Sequence, residues 1–317
     1  MKHVFKTLWL IVIAAFLLGL ALVVIGLASG ATRRIQLTAH GVKLGGPRVV
    51  YVQKSDLDTP AFTNVTLDIP ATWTQISFEY DDSNTYGYEI KLPSSTQRDL
   101  NCTIKNQTLH VASKNNRAWA NLDLINLGEV NLDWTGRGYE QGKVVIYVPR
   151  GVQYDTVQLN LATGDYTIAD LSARHVTVAC PAGNVRLGRI TASRVALSVQ
   201  SGMMQSDGIT TTTLFETVTA GELTSLNANA SVASLSVTTG ELRFTGDASK
   251  QMTTRVTTGE AWLALARPRD AYALTSKVTT GELSINGHPE GQTHEVNTEL
   301  TQLNASVVTG EAYLTFK

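Results

Sequence analysis

Glu222, Glu241, Glu260, Glu282 and Glu311 each directly follow a glycine, and Asp165 does the same in the first copy of the pattern. Carboxylates returning at a fixed interval suit a divalent cation or a cationic partner if the chain stacks its copies so that they line one edge. At a stacking distance of ~4.8 Å two like charges in bulk water repel by less than about 1 kcal/mol, and salt lowers this further. A solvated acidic stripe without any ligand therefore stands as the alternative. Asn184 and Met203 interrupt the column, and the spacing lacks the Gly-Gly-x-Gly-x-Asp pattern of calcium-binding repeats. Arg255 and Lys277 stand four positions before their glycines, where surface ion pairs across the corner would neutralise the stripe. The alignment of Glu282 and Glu311 is left open by the longer intervals that precede them.

Other constellations carry less chemistry. His288, Glu290, His294 and Glu295 are zinc-ligand types, but their spacing matches no metal motif and reads as a solvated loop. Trp119, Trp134 and Tyr139 are candidates for gripping sugar rings, with buried packing as the rival reading. The acidic pairs Asp81-Asp82 and Asp56/Asp58 sit among turn formers and read as hydrogen-bonded turns. Ser201-Gly202 lacks the preceding Gly-x of a nucleophile elbow, and there is no glycine-rich phosphate loop. No catalytic, cofactor-binding or metal-binding residue is assigned. Of the two cysteines, Cys180 occupies an apolar column and reads as a core residue, with a bridge to Cys102 as the alternative.

The elements that would position the carboxylates are set by the glycines themselves. Gly164, Gly183, Gly202, Gly221, Gly240, Gly259, Gly281 and Gly310 are separated by five intervals of 19 residues, then one of 22 and one of 29. Three positions before each lies Leu161, Cys180, Val199, Val218, Val237, Val256, Val278 or Val307; the positions two and four after it are mostly apolar as well. Alternation on both sides of a corner means short strands, not helix. A further apolar column seven residues past the glycine, Leu171, Ile190, Ile209 and Ala228, indicates a third side in the early copies. A 19-residue unit cannot bury its apolar face alone, but stacked coils share one core, so the expected fold is an all-β solenoid, with eight rungs making a rod roughly 35–40 Å long. The glycine is expected to supply a positive φ at each corner, where another L-residue costs about 1–2 kcal/mol.

The rest of the chain divides around this block. With 317 residues, a net charge of −1 and 17% charged residues, no global basic field favours nucleic acid. Residues 1–7 read as a short cytoplasmic tail. Residues 8–28, LWLIVIAAFLLGLALVVIGLA, hold no charge and as a helix would span the hydrocarbon core of a bilayer. The run exceeds a signal-peptide core, which favours a membrane anchor, although Ala28-Ser29-Gly30 leaves a cleavage site open. Lysines before the span and arginines after it nearly balance, so the outward orientation rests on the short amino-terminal tail and the Thr-, Asn- and Ser-rich remainder. Residues 29–61 read as a juxtamembrane connector, 62–150 as an amino-terminal β region and 151–317 as the solenoid repeats.

Taken together, the opening FTNVTLDIPATWTQISFEYDDSNTYGYEI at 62–90, the VYVP-like strand VIYVP at 145–149 and the serial TTGEL turns carry a likeness over residues 62–317. In these features the chain resembles the bacterial family of β-strand-repeat proteins known as putative adhesins, a domain of otherwise unknown function. The resemblance implies a non-enzymatic envelope protein with no catalytic residues to carry over. It also implies an association, in Gram-positive relatives, with envelope-stress regulation. The expected function is a membrane-anchored module that displays its rungs outside the cell to a wall polymer or another membrane protein, with no cofactor. An accessory regulator acting by protein contact is the alternative, and a polysaccharide-acting β-helix enzyme is a third reading.

Overall fold

The computed structural model describes residues 34–38, 41–44, 50–69, 74–81, 85–94, 100–113, 130–133 and 142–317. The expected membrane span, 8–28, lies outside the described residues, as do Trp119, Trp134 and Tyr139. Among the described residues no helix is long and apolar enough to cross a membrane. The one helical piece there is a single 3-10 turn, Arg269–Ala271, so the described chain is all-β.

Two compact units are distinguished. The first, 1–50 with 120–140, contains a three-stranded antiparallel sheet of Arg34–Thr38, Gly41–Leu44 and Val130–Asp133. The second, 51–119 with 141–317, carries the repeats.

Within the second unit, alternation of apolar and polar residues produces strands whose inward side chains are buried in one continuous cluster. The long strands Asn184–Val199, Met203–Val218, Glu222–Val237 and Glu241–Val256 lie parallel, each paired with the next. The register is the sequence period itself. Asn184 pairs with Met203, Met203 with Glu222 and Glu222 with Glu241, so equivalent positions stand directly above one another. Val199, Val218, Val237 and Val256 are all fully buried. So is the third-side column of Leu171, Ile190, Ile209 and Ala228. Burial of a Val or Leu is worth about 1.5–3 kcal/mol, so these columns supply the bulk of the cohesion. Cys180 is buried in its column, with its thiol directed at the Gly183 carbonyl oxygen at 3.1 Å, and neither cysteine forms a disulfide. The alternative of a Cys102–Cys180 bridge is thereby set aside.

The stack begins before residue 151. Asn64–Ile69 pairs in parallel with Tyr154–Leu161, and Thr74–Asp81 pairs in parallel with Asp165–Ile168 and with Gly142–Pro149. The strand Val50–Thr59 joins the same sheet and contains Asp56 and Asp58. These two aspartates were expected in a turn; they stand in a strand, with the Asp58 amide donating to the Asp56 carboxylate at 3.3 Å.

At the other end the order of tiers departs from the order of the chain. Gln251–Val256 pairs with Thr301–Val307, and Glu260–Leu265 pairs with Glu311–Phe316. Tyr272–Val278 and Glu282–Ile285 then pair on the far side of those same two strands. The last coil in sequence is therefore intercalated beneath the one that precedes it. His288–Glu290 and Thr293–His294 close the outer edge by antiparallel pairing with Glu282–Ile285 and Tyr272–Val278. The residues expected to form a solvated loop thus include two short edge-covering strands, a device that blunts an exposed sheet edge.

Candidate binding groove

The repeating glycines build a groove by a mechanism other than the expected one. Of the eight corner glycines only Gly164 has a positive φ, 144°. At the others, the carbonyl oxygen of one glycine accepts the amide of the residue after the next-tier glycine. The amides of Glu241, Glu260 and Glu311 bond to Gly221, Gly240 and Gly259 at 2.9, 3.0 and 3.0 Å. That oxygen then fills the space where the next glycine's Cβ would be. A Cβ on Gly202, Gly240 or Gly310 would lie 2.0, 2.1 or 2.2 Å from the carbonyl oxygen beneath it. Close backbone approach, and not left-handed backbone, is what demands glycine at these corners.

Bare of side chains, the glycines floor a shallow groove along the stack. Small and hydroxylated residues such as Ser201, Thr239 and Thr258 form one wall, and Met203, Glu222, Glu241 and Glu260 the other. The Thr239 hydroxyl donates to the Thr219 carbonyl at 2.7 Å and the Ser201 hydroxyl to the Pro181 carbonyl at 2.8 Å, so this wall is held by bonds between tiers.

The acidic column aligns throughout, including the two members left open by the sequence. Glu241 pairs with Glu260, Glu260 with Glu311, and Glu311 with Glu282. At the first tiers the Asn184 side-chain amide donates to Asp165 at 2.7 Å. The cation that reaches the column is Arg243, 2.5 Å from Glu241 on the same strand, whereas Arg255 and Lys277, expected as partners, form no ion pair among the described residues. Among the described residues no group of three or more His, Cys, Asp or Glu side chains is placed to hold a metal ion.

A second feature went unread in the sequence. Two positions past each glutamate, Arg243, Trp262 and Tyr313 project from successive tiers on the same face. The rings of Trp262 and Tyr313 stack at 4.0 Å between centroids and 18° between planes, and the Arg243 guanidinium lies 5.8 Å from the centre of Trp262. The Trp262 indole N–H donates to Glu260 at 3.4 Å and the Tyr313 hydroxyl donates to Glu311. That bond, followed by burial and by the negative charges of Glu311, Glu282 and Glu260, pushes the Tyr313 pKa up to about 12, so the phenol remains a donor at neutral pH. Trp262 is nevertheless 40% exposed and borders a second groove with Thr224, Thr245 and Ser284. Trp262 and Tyr313 are 51 positions apart, with a complete coil between them in sequence, so only the inverted tier order reveals them as neighbours.

Inside the stack lies a carboxyl that the column pattern also left unnoticed. Glu216 is fully buried five residues before Gly221, a position held by Leu197 and Leu235 in the flanking tiers. Ser225 donates to it at 2.5 Å and Ser206 donates to Ser225 at 3.2 Å. Burial raises the Glu216 pKa from its ordinary 4.5 to about 7, with the Ser225 bond opposing the rise. Among the zinc-type residues of the insertion, Glu295 accepts the Leu274 amide at 2.9 Å and pairs with Arg269 at 2.7 Å. His294 contacts the Thr275 hydroxyl at 3.1 Å and Glu290 accepts from Thr293 at 2.8 Å. These contacts tie the edge-covering strands to the stack and do not converge on one point.

Comparison with known proteins places the fold. The chain is similar to a putative lipid-binding protein from Parabacteroides distasonis, at 14% identity and a TM-score of 0.53, over 84% of this chain and 97% of that one. It is similar to a putative adhesin from the same species, at 12% identity and a TM-score of 0.51, with the same coverage. A putative adhesin from Parabacteroides merdae aligns at 14% identity and a TM-score of 0.50 over 84% and 96% of the two chains. At these identities the likeness is one of fold. No curated protein matches the chain. The sequence pattern of the family described as Toastrack DUF4097 matches residues 65–309, which run from the first parallel pair to the residue before the last corner glycine, Gly310, and the chain belongs to that family.

Proposed function

We propose that this protein is a non-enzymatic, membrane-anchored binding module of the cell envelope whose β-solenoid displays the glycine-floored groove to an extended ligand outside the cell. The observation that carries the reading is the groove itself, with the hydroxyls of Ser201, Thr239 and Thr258 along one wall and the carboxylates of Glu222, Glu241 and Glu260 along the other. A surface repeating every ~4.8 Å suits a polymer whose own hydrogen-bonding groups recur along its length. Binding rather than catalysis is supported by the engagement of the polar side chains, since Glu241, Glu260 and Glu311 each hold a neighbour on their own strand. The uncharged run at 8–28 supports the anchor, and the likeness to proteins described as putative adhesins supports the outward display.

Two measurements test this. Protease added to intact cells is expected to cut within residues 257–317, and the purified full-length chain is expected to be retained on isolated wall glycan. Rungs that stay protected in intact cells but are cut after lysis would remove the outward display, and a chain that washes off wall glycan would remove the polymer ligand.

A further inference from the structure

The glycine-floored groove changes character along its length. Toward the higher-numbered tiers its walls are Thr239 and Thr258 on one side and Glu241 and Glu260 on the other. Toward the lower-numbered tiers the residues just before the glycines are Ala182, Ser201 and Ala220, and the opposite wall holds Met203, in register between Asn184 and Glu222. Met203 is the one large apolar side chain among the described residues lining the groove, and it is 47% exposed. Strand alternation turns the next residue, Met204, inward, where it is fully buried, and Met252 is fully buried in its own tier. Of the three thioethers among the described residues, a solute in the groove therefore meets one.

The surroundings of Met203 suit an apolar side chain better than a polar one. The Ser201 hydroxyl donates to the Pro181 carbonyl at 2.8 Å and the Asn184 amide donates to Asp165 at 2.7 Å, while Ala182 and Ala220 bring no polar side-chain atom. Glu222, next along the wall, is an acceptor when ionised. An oxygen added to the Met203 sulfur is thus bonded to water, and a ligand lying over it must strip that water without replacing its hydrogen bonds.

We propose that Met203 is a site of reversible oxidation by hydrogen peroxide, and that its sulfoxide loosens the hold of the groove on the polymer. The sulfur lone pair attacks one peroxide oxygen, and the S–O bond forms as the O–O bond breaks. The hydroxide released takes the proton from the sulfur-bound oxygen and leaves as water. Sulfur loses two electrons, the peroxide gains two, and a flexible apolar side chain becomes a polar one that a methionine sulfoxide reductase can restore. Selectivity for Met203 follows from its exposure, whereas the loosening rests on the polymer ligand proposed above.

The test exposes the full-length chain to hydrogen peroxide and follows each methionine by mass spectrometry, with fragment ions separating Met203 from its neighbour Met204. Met203 is expected to convert at least tenfold faster than Met204 and Met252 in the folded chain, and at the same rate as they do in urea. Equal rates in the folded chain would overturn the site. Retention on isolated wall glycan is read on the same samples. Conversion of Met203 is expected to weaken retention at least threefold with the melting midpoint unchanged, and treatment with a methionine sulfoxide reductase to return it. Met203→Gln, polar from the start, is expected to bind as weakly as the oxidised chain and to be indifferent to peroxide. Retention that survives full conversion of Met203, or a loss that the reductase does not reverse, would overturn the loosening. An untreated chain that washes off wall glycan removes the polymer reading and the loosening with it, while the conversion rates still decide whether Met203 is the oxidised site.

Discussion

From Asn184 to Val256 each coil lies on the one before it, whereas from Thr257 onward the chain passes over one tier and returns to fill it. Both regions use the same columns, the same glycine carbonyl-to-amide bonds and the same valines before the corner. Gly310 stacks on Gly259 as closely as Gly259 stacks on Gly240. The difference teaches that register and order are separate properties of a stacked sheet. Register is fixed locally, because a slip of one residue turns every buried side chain to water. Order is fixed by the connections, and the intervals of 22 and 29 residues supply the extra chain for stepping past a tier and coming back. The inverted arrangement gives the carboxy-terminal strand, Glu311–Phe316, a neighbour on both sides and leaves the outer edge to Glu282–Ile285, which His288–Glu290 covers.

The largest predicted effect breaks the feature that both regions share. Gly240→Val places a Cβ 2.1 Å from the Gly221 carbonyl oxygen and 2.6 Å from a Val218 methyl. Neither neighbour can yield without opening the stack, so thermal unfolding should show a loss on the order of 4 kcal/mol. Gly291→Ala, where nothing lies within 4 Å and φ is not positive, should stay within about 0.5 kcal/mol of the parent. Equal effects at the two sites would refute close approach as the reason for glycine.

The next effect singles out the regular region. Burial makes the folded chain hold the Glu216 proton up to about pH 7, while the unfolded chain releases it near pH 4.5. Stability is then complete below about pH 4.5, falls as the pH rises toward 7 and levels off above it. At 1.36 kcal/mol per unit the fall is about 3 kcal/mol. Glu216→Gln keeps an acceptor for Ser225 and should flatten this part of the curve in urea titrations run from pH 4 to pH 8. A slope that survives the substitution would assign it to another group.

The intercalated region has its own lock. The Arg267 guanidinium pairs with Asp247, donates to the Ala248 carbonyl at 2.6 Å and reaches the Thr301 hydroxyl at 2.9 Å, while the Tyr272 hydroxyl donates to Asp247 at 2.6 Å. These residues come from the tiers on either side of the inserted strand and from that strand itself. Arg267→Ala leaves the Asp247 carboxylate short of its partner and should cost about 2 kcal/mol. Hydrogen exchange should quicken first in 272–316 and leave 184–240 protected, since local opening follows the weakest contacts. Uniform quickening would mean that the end and the middle open together.

How much of this was legible follows the same division. The period of 19, the inward columns and the glutamate stripe were readable because side-chain alternation and glycine spacing are local in sequence. The reason for the glycine was misread, since a corner and a close approach select the same residue and only coordinates distinguish them. Glu216 carried a signal that column-by-column reading passes over: a charge at a position held by leucine one tier on each side. Trp262 and Tyr313 carried none, because their adjacency depends on tier order, which no spacing encodes.

The smallest prediction is also the one that reads tier order in solution. Neighbouring glutamates in the column repel, and one tier apart the repulsion is a few tenths of a kcal/mol once screened, falling off steeply at two tiers. Glu260 adjoins Glu311, whereas Glu282 is two tiers away on the far side of Glu311. A double-mutant cycle of Glu260→Gln with Glu311→Gln should therefore give a coupling of roughly 0.3 kcal/mol at low salt, and the cycle with Glu282→Gln a smaller one. Had the coils stacked in chain order, Glu260 would adjoin Glu282 and the two couplings would exchange. Raising the salt to about 1 M, where the Debye length is near 3 Å, should erase both couplings while leaving the cost of Gly240→Val in place. The stripe is thus a weak perturbation on a stack held by buried columns and by glycine.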